Sequence, residues 1–365
     1  MKNGLKTKVM PCLASATMIV GGVMNAMPVM AVMVEKNTCK FDKYLVMDNE
    51  ANVPNATFTF AVSAGVAADG VMAGVDANKV VVTGTSGNQV VFSTDDATKT
   101  DANSLIKDFD ATTEKYVQKS VSLDFSACVF AEPGVYRYVV TESGTNQAVT
   151  NDASATRIVD VYVNNDGNGG TKIAGYVLYT DAESMDETKS QGFTNDYDTS
   201  NVTIRNEVTG NQASMSKYFA FTVEITDAVA GTIYDVDLSN ASADADGNNN
   251  PTQLTVGEDG TVSQVFYLKH GEEIVVNGIA KNSKYSVTEN ADGYKATAAG
   301  VDGYTGAVSG TIESADVKTS YLNEKTGTIP TGVIMNVAPF ASVTLLGGVG
   351  AGIVLAMRKK DTDAE

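Results

Sequence analysis

The sequence predicts an all-β protein built as two tandem sandwich-like domains, set between an N-terminal export segment and a C-terminal apolar span. Three observations predict this. Strand-like runs (TFTFAV, KVVVTG, VYRYVVTE, IVDVYVNN, AGYVLYT) alternate with turn clusters such as NNDGNGG and DADGNNN, and no long amphipathic helix interrupts them between residues 35 and 325. A weak internal repeat recurs in a fixed order. A chain of 365 residues also suits two domains of ordinary size.

The chain begins with Lys2, Lys6 and Lys8 before an apolar run and then small residues. That is the pattern of a secretory signal peptide, here residues 1–31. Cleavage is expected after Ala31, with Ala26 as second choice. The chain as a whole is acidic: 26 Lys+Arg against 44 Asp+Glu give a net charge of -18, which repels nucleic acid and anionic membranes. Cys12 leaves with the signal peptide, so Cys39 and Cys128 are the candidates for a disulfide in an oxidising compartment, with two buried thiols as the alternative.

The first repeat runs from KFDKYLVM, within CKFDKYLVM (39–47), through TFTFAV and YRYVVTE to GFTNDY, residues 40–197. Successive side chains of a strand point to opposite faces. Cys39, Phe41, Lys43, Leu45 and Met47 therefore share one face, and Lys40, Asp42, Tyr44 and Val46 share a more polar one. Lys43 is aimed at the core, where lysine is almost never left without a partner. Glu142 falls with Tyr136, Tyr138 and Val140, and Asn195 with Phe193 and Tyr197. Three buried polar groups in one core are costly unless they satisfy one another.

Two arrangements meet that need. One is a Lys43–Glu142 ion pair with a hydrogen-bonded Asn195, which alternation alone favours. The other is chemical. Desolvation favours a neutral amine and a neutral carboxyl, and a neutral amine is a nucleophile. Held in contact, Lys43 could attack the Asn195 side-chain carbonyl and expel ammonia, with Glu142 polarising the carbonyl and relaying protons.

The second repeat runs from VTIRNEV through YFAFTV and YSVTE to TSYLNE, residues 202–324. Glu289 and Asn323 repeat the acid and the amide, but Asn206, on a face with Val202, Ile204 and Val208, stands where the lysine would be. An asparagine amide is no amine nucleophile, so a hydrogen-bonded Asn206–Glu289–Asn323 cluster without a covalent link is expected. Lys217, before the F-x-F strand, is a poor substitute.

The chain ends with TIPTG (328–332), an uncharged stretch from Val333 to Met357 long enough to span a bilayer, and Arg358-Lys359-Lys360. The pieces KFDKYLVM…VPNATFTFAV, FAEPGVYRYVVTES, FTNDY and IPTGVIMNVAPF…RKK together resemble the two-domain backbone pilins of Gram-positive sortase-assembled pili, the streptococcal type with Ig-like domains and Lys–Asn isopeptide bonds. The resemblance implies an isopeptide bond between Lys43 and Asn195 with Glu142 as its catalytic acid, and so favours the chemical arrangement. It also implies that sortase cleaves between Thr331 and Gly332 within Thr328, Ile329, Pro330, Thr331 and Gly332, then transfers Thr331 to an amine. Proline at 330 fixes the extended form such a groove would bind. In the resembling pilins the acceptor lysine precedes the last strand of the first domain; Lys189 is the nearest match, with a solvated loop lysine as the alternative reading. The W-x-x-x-V-x-V-Y-P-K acceptor motif is absent, since the chain has no tryptophan.

The lone histidine, His270, leaves no histidine metal cluster and little room for a histidine-based triad. No phosphate-binding loop or dinucleotide fingerprint is present. No enzyme, cofactor or metal site is expected. The expected organisation is a signal peptide (1–31), Ig-like domains (32–198 and 199–326) and a sorting signal (327–365). The expected partners are sortase, further copies of the chain, accessory pilins and peptidoglycan, at the cell wall. A wall-anchored adhesin or minor pilin on the same stalk is the alternative.

Overall fold

The computed structural model describes residues 37–144, 148–180 and 189–328; the expected signal peptide, the apolar stretch 333–357 and Ile329 to Gly332 of the expected sorting motif lie outside the described residues. Two β-sandwiches follow one another along the chain. In the first, a five-stranded sheet runs in the order Val81–Thr83, Glu114–Asp124, Thr38–Asp48, Gly192–Tyr197, Val149–Thr150. It faces a sheet centred on Gly134–Ser143, flanked by Thr156–Asn165 and Ala56–Ala64. In the second, Thr199–Thr209 lies between Glu273–Ala280 and Val317–Glu324, and the facing four-stranded sheet pairs Phe219–Thr226 with Lys284–Asn290.

Alternation explains the core of the opening strand. Cys39, Phe41, Lys43, Leu45 and Met47 are all buried in the main core of the first sandwich. The outward face departs from expectation: Tyr44 and Val46 are buried too, in a satellite cluster with Ile106 and Tyr116. The irregular segment before Glu114–Asp124 folds over this part of the sheet, and such cover leaves no period-2 signature.

The opening and closing strands are parallel neighbours in both sandwiches, although they lie at opposite ends of each repeat. Parallel pairing of chain-distant strands needs a long connection, and here the whole sandwich supplies it. The register sets Lys43 against Phe193 and Leu45 against Asn195, so Lys43 and Asn195 are diagonal neighbours two residues apart.

Short polar contacts join the sandwiches. Asn52 Nδ2 donates to Ile233 O (3.1 Å) and to Asp235 Oδ2 (2.9 Å), and Asn201 Nδ2 donates to Glu50 Oε2 (2.7 Å). Gly278, at φ +67, lets this junction close: a Cβ there would sit 2.6 Å from the Ala51 Cα.

Candidate functional site

Lys43, Glu142 and Asn195 meet between the two sheets of the first sandwich. Lys43 and Asn195 come from adjacent strands of one sheet, and Glu142 reaches them from the facing sheet, where it pairs with Phe60. Lys43 and Asn195 are fully buried, and Glu142 is nearly so. Lys43 Nζ lies 3.1 Å from Glu142 Oε2 and donates to Oε1 at 3.4 Å. Asn195 Nδ2 donates to the same Oε1 at 2.9 Å. One carboxyl thus bridges the amine and the amide.

The walls are aromatic. Nζ stands 4.3 Å above the Phe58 ring, and Phe41, Phe60 and Phe193 pack against each other at centroid distances of 5.4–5.7 Å. Removal from water destabilises the charged amine more than Glu142 stabilises it, and the Lys43 pKa falls from 10.5 to about 8. Phe58 and Phe60 come from the F-x-F strand that marks the first repeat.

Two further residues carried no signal in the sequence. Asn151 Oδ1 accepts from Asn195 Nδ2 at 3.3 Å, and the backbone N–H of Asp152 donates to Asn195 Oδ1 at 3.1 Å. Both lie in an irregular stretch before Thr156–Asn165.

Residues 39–198 match the family described as the Spy0128-like isopeptide containing domain, and residues 200–325 match a domain family of unknown function, DUF7601. A pilin of Streptococcus pyogenes serotype M1 is 28% identical over 260 residues, covering 66% of this chain and 72% of the relative. Residues 39–198 belong to that isopeptide-domain family, and the findings together support a streptococcal-type backbone pilin. It is a structural subunit of a pilus. The fold agrees: the major pilin of Streptococcus pyogenes aligns with TM-score 0.53 at 23% identity, over 80% of this chain and 100% of that one. The T3.2 major pilin aligns with TM-score 0.51 at 24% identity, over 80% and 99%.

The second sandwich of the pilin brings Asn206, Glu289 and Asn323 together. Asn323 Nδ2 donates to Asn206 Oδ1 (3.0 Å) and, over a short contact, to Glu289 Oε1; Asn206 Nδ2 donates to Leu268 O (2.9 Å). Burial raises the Glu289 pKa. Lys217 is ion-paired with Asp292 and supplies no amine to the cluster.

The remaining candidates lie apart. Lys189 is exposed and bridges to Tyr179 at the edge of the first sandwich, and Thr328, the last described residue, is exposed. Of the two readings open for Cys39 and Cys128, the structure holds the free thiols and no bridge between them. Cys39 is sealed in the core, where burial pushes its pKa up to about 12, whereas Cys128 is directed to the Asp76 carbonyl at 3.7 Å.

Proposed function

We propose that this pilin locks its first domain with an autocatalytic Lys43–Asn195 isopeptide bond and is joined to its neighbours by sortase. The observation that carries the bond is the single buried carboxyl of Glu142, in contact with both Lys43 Nζ and Asn195 Nδ2. With its pKa near 8, about a tenth of Lys43 is neutral at pH 7, against roughly 0.03% of an ordinary lysine. Nζ attacks Asn195 Cγ, the Cγ–Nδ2 bond breaks, and ammonia leaves after Glu142 carries a proton from Nζ to Nδ2. Proximity in the folded core supplies much of the rate for this single turnover.

The proposed bond closes 195 − 43 = 152 positions, which on the loop-entropy model stabilises the fold by about 5 kcal/mol. Tension would then pass through covalent bonds, not strand hydrogen bonds. Outside the sandwiches, residues 1–31 serve as signal peptide and 327–365 as sorting signal, with 32–198 and 199–326 as the two domains. Sortase would link Thr331 to Lys189 of the next subunit, and the last subunit to peptidoglycan. The exposed position of Lys189 supports its role as acceptor.

The test is the reduced intact mass of residues 32–331 beside the Glu142→Ala variant. A parent lighter by one ammonia and a variant at full mass are expected. A parent at full mass would leave Lys43 as a paired buried lysine and end the isopeptide reading.

A further inference from the structure

We propose that the backbone N–H of Asp152 is the oxyanion donor for the Lys43–Asn195 reaction, and that Glu142 serves only as the proton relay between the two nitrogens. The proposal rests on the isopeptide reading above. It divides between two groups the tasks that the sequence suggested for Glu142 alone.

The orientation of the Asn195 amide decides the matter. A backbone N–H can only donate, so the amide atom 3.1 Å from Asp152 N is the oxygen. The NH2 group then faces Glu142 Oε1 at 2.9 Å and Asn151 Oδ1 at 3.3 Å, both acceptors. The carboxyl therefore meets the leaving nitrogen, not the carbonyl oxygen. From there it can take a proton from Nζ and deliver it to Nδ2, but the negative charge that grows on Oδ1 is left to Asp152.

Asp152 is fixed for that task. Its Oδ2 accepts from the backbone N–H of Thr194, beside Asn195, at 2.8 Å and from the buried Arg157, and its Oδ1 accepts from Ser154 N at 3.1 Å. Arg157 in turn donates to Gly192 O at 2.8 Å and lies 4.4 Å from the Phe193 ring. The irregular stretch is thereby clamped to the closing strand on the N-terminal side of the reacting residue. A donor already in place costs no reorganisation when charge develops.

The second sandwich offers an internal comparison. Asn323 presents its NH2 group to Glu289 in the same way, yet its Oδ1 is buried and accepts no hydrogen bond. The domain with an amine has a donor at the carbonyl; the domain without an amine has none.

In the reaction, the Nζ–Cγ bond forms as the carbonyl π pair moves onto Oδ1, held by Asp152 N–H. Glu142 removes one proton from Nζ and adds it to Nδ2. The oxygen pair returns, Cγ–Nδ2 breaks, and ammonia departs, leaving Lys43 Nζ with one hydrogen in a neutral amide. No outside reactant enters.

Asp152→Pro and Asp152→Ala both remove the carboxylate, but only proline removes the N–H. Linkage is followed by intact mass after pulsed cell-free synthesis of the full exported chain. Asp152→Pro should link about a hundredfold more slowly than Asp152→Ala, the scale of a lost oxyanion donor. Equal rates would overturn the proposal. A second measurement holds if the proline variant does not fold. In Lys43→Ala, where Asn195 stays unreacted, a scalar coupling across the hydrogen bond should link the Asp152 amide nitrogen to the Asn195 side-chain carbonyl carbon; its absence would overturn the assignment. A wild-type chain at full mass would remove the isopeptide reading and this inference together, an outcome distinct from a linked wild type with equal variant rates.

Discussion

Asn206 stands to Asn323 in the register that Lys43 holds to Asn195. Asn206 pairs with Tyr321, two residues before Asn323, as Lys43 pairs with Phe193, two before Asn195. The glutamates also correspond: Glu142 faces Phe60 and Glu289 faces Phe221 along their strand pairs. The second sandwich retains acid and amide in place and lacks the amine.

Asn206→Lys should therefore supply a second cross-link, closing 323 − 206 = 117 positions. Without a donor at Asn323 Oδ1, it should form far more slowly than the first. Intact mass over days of incubation should show one ammonia lost early and a second lost late. A mass fixed at one loss would mean that register alone does not make the site.

Period-2 alternation made the fold class and the site triad legible because both depend on side chains that point inward from regular strands. Lys43, Glu142 and Asn195 each break an apolar face, and such a break is visible in a single strand. Asp152 was not legible, since its part is played by a backbone N–H that every residue except proline carries. Tyr44 and Val46 were misjudged because their cover comes from an irregular segment. The pair Arg137–Asp160, hydrogen-bonded twice at 2.8 Å and buried, was also unseen; each residue alone reads as an outward charge.

The depressed Lys43 pKa also has a stability consequence in any form that cannot link. In Asn195→Ala, Lys43 and Glu142 remain, and the unfolded chain binds a proton at Lys43 more tightly than the folded one. Stability should then be lowest below about pH 8 and rise as pH climbs from about 8 to 10.5, by roughly 3 kcal/mol at most. Urea midpoints of Asn195→Ala and Lys43→Met/Asn195→Ala across that range should converge or diverge accordingly. A difference independent of pH would show that Lys43 titrates normally in the core.

Bond formation should follow the same group. The linking rate of newly made protein should rise with pH and level off above about pH 8, where Lys43 is mostly neutral. Intact mass at short times, from pH 6 to 9, measures this. A rate that falls over this interval would require the charged amine in the reactive state.

A chain pulled from its two ends should open in only one place. Force entering at the opening strand would cross to Asn195 through the isopeptide bond, so the first sandwich contributes no length, while the second extends. Single-molecule stretching of residues 32–331 should show one unfolding step of about 400 Å. Glu142→Ala should add a second step of about 500 Å, from the 152 positions released. Two steps in the parent protein would show that tension does not bypass the first sandwich.

In the proposed assembly Lys189 is the acceptor; it is exposed, bridges to Tyr179, and precedes the strand that carries Asn195. Arginine keeps the charge and most of the length, but its delocalised guanidinium is a poor acyl acceptor, being protonated at any physiological pH. Lys189→Arg should leave the isopeptide mass deficit and the thermal midpoint unchanged, because the residue lies outside the buried triad. It should abolish the high-molecular-weight ladder formed with the cognate sortase, leaving monomer. An intact ladder would move the acceptor role to another exposed lysine and leave the bond within the first sandwich untouched.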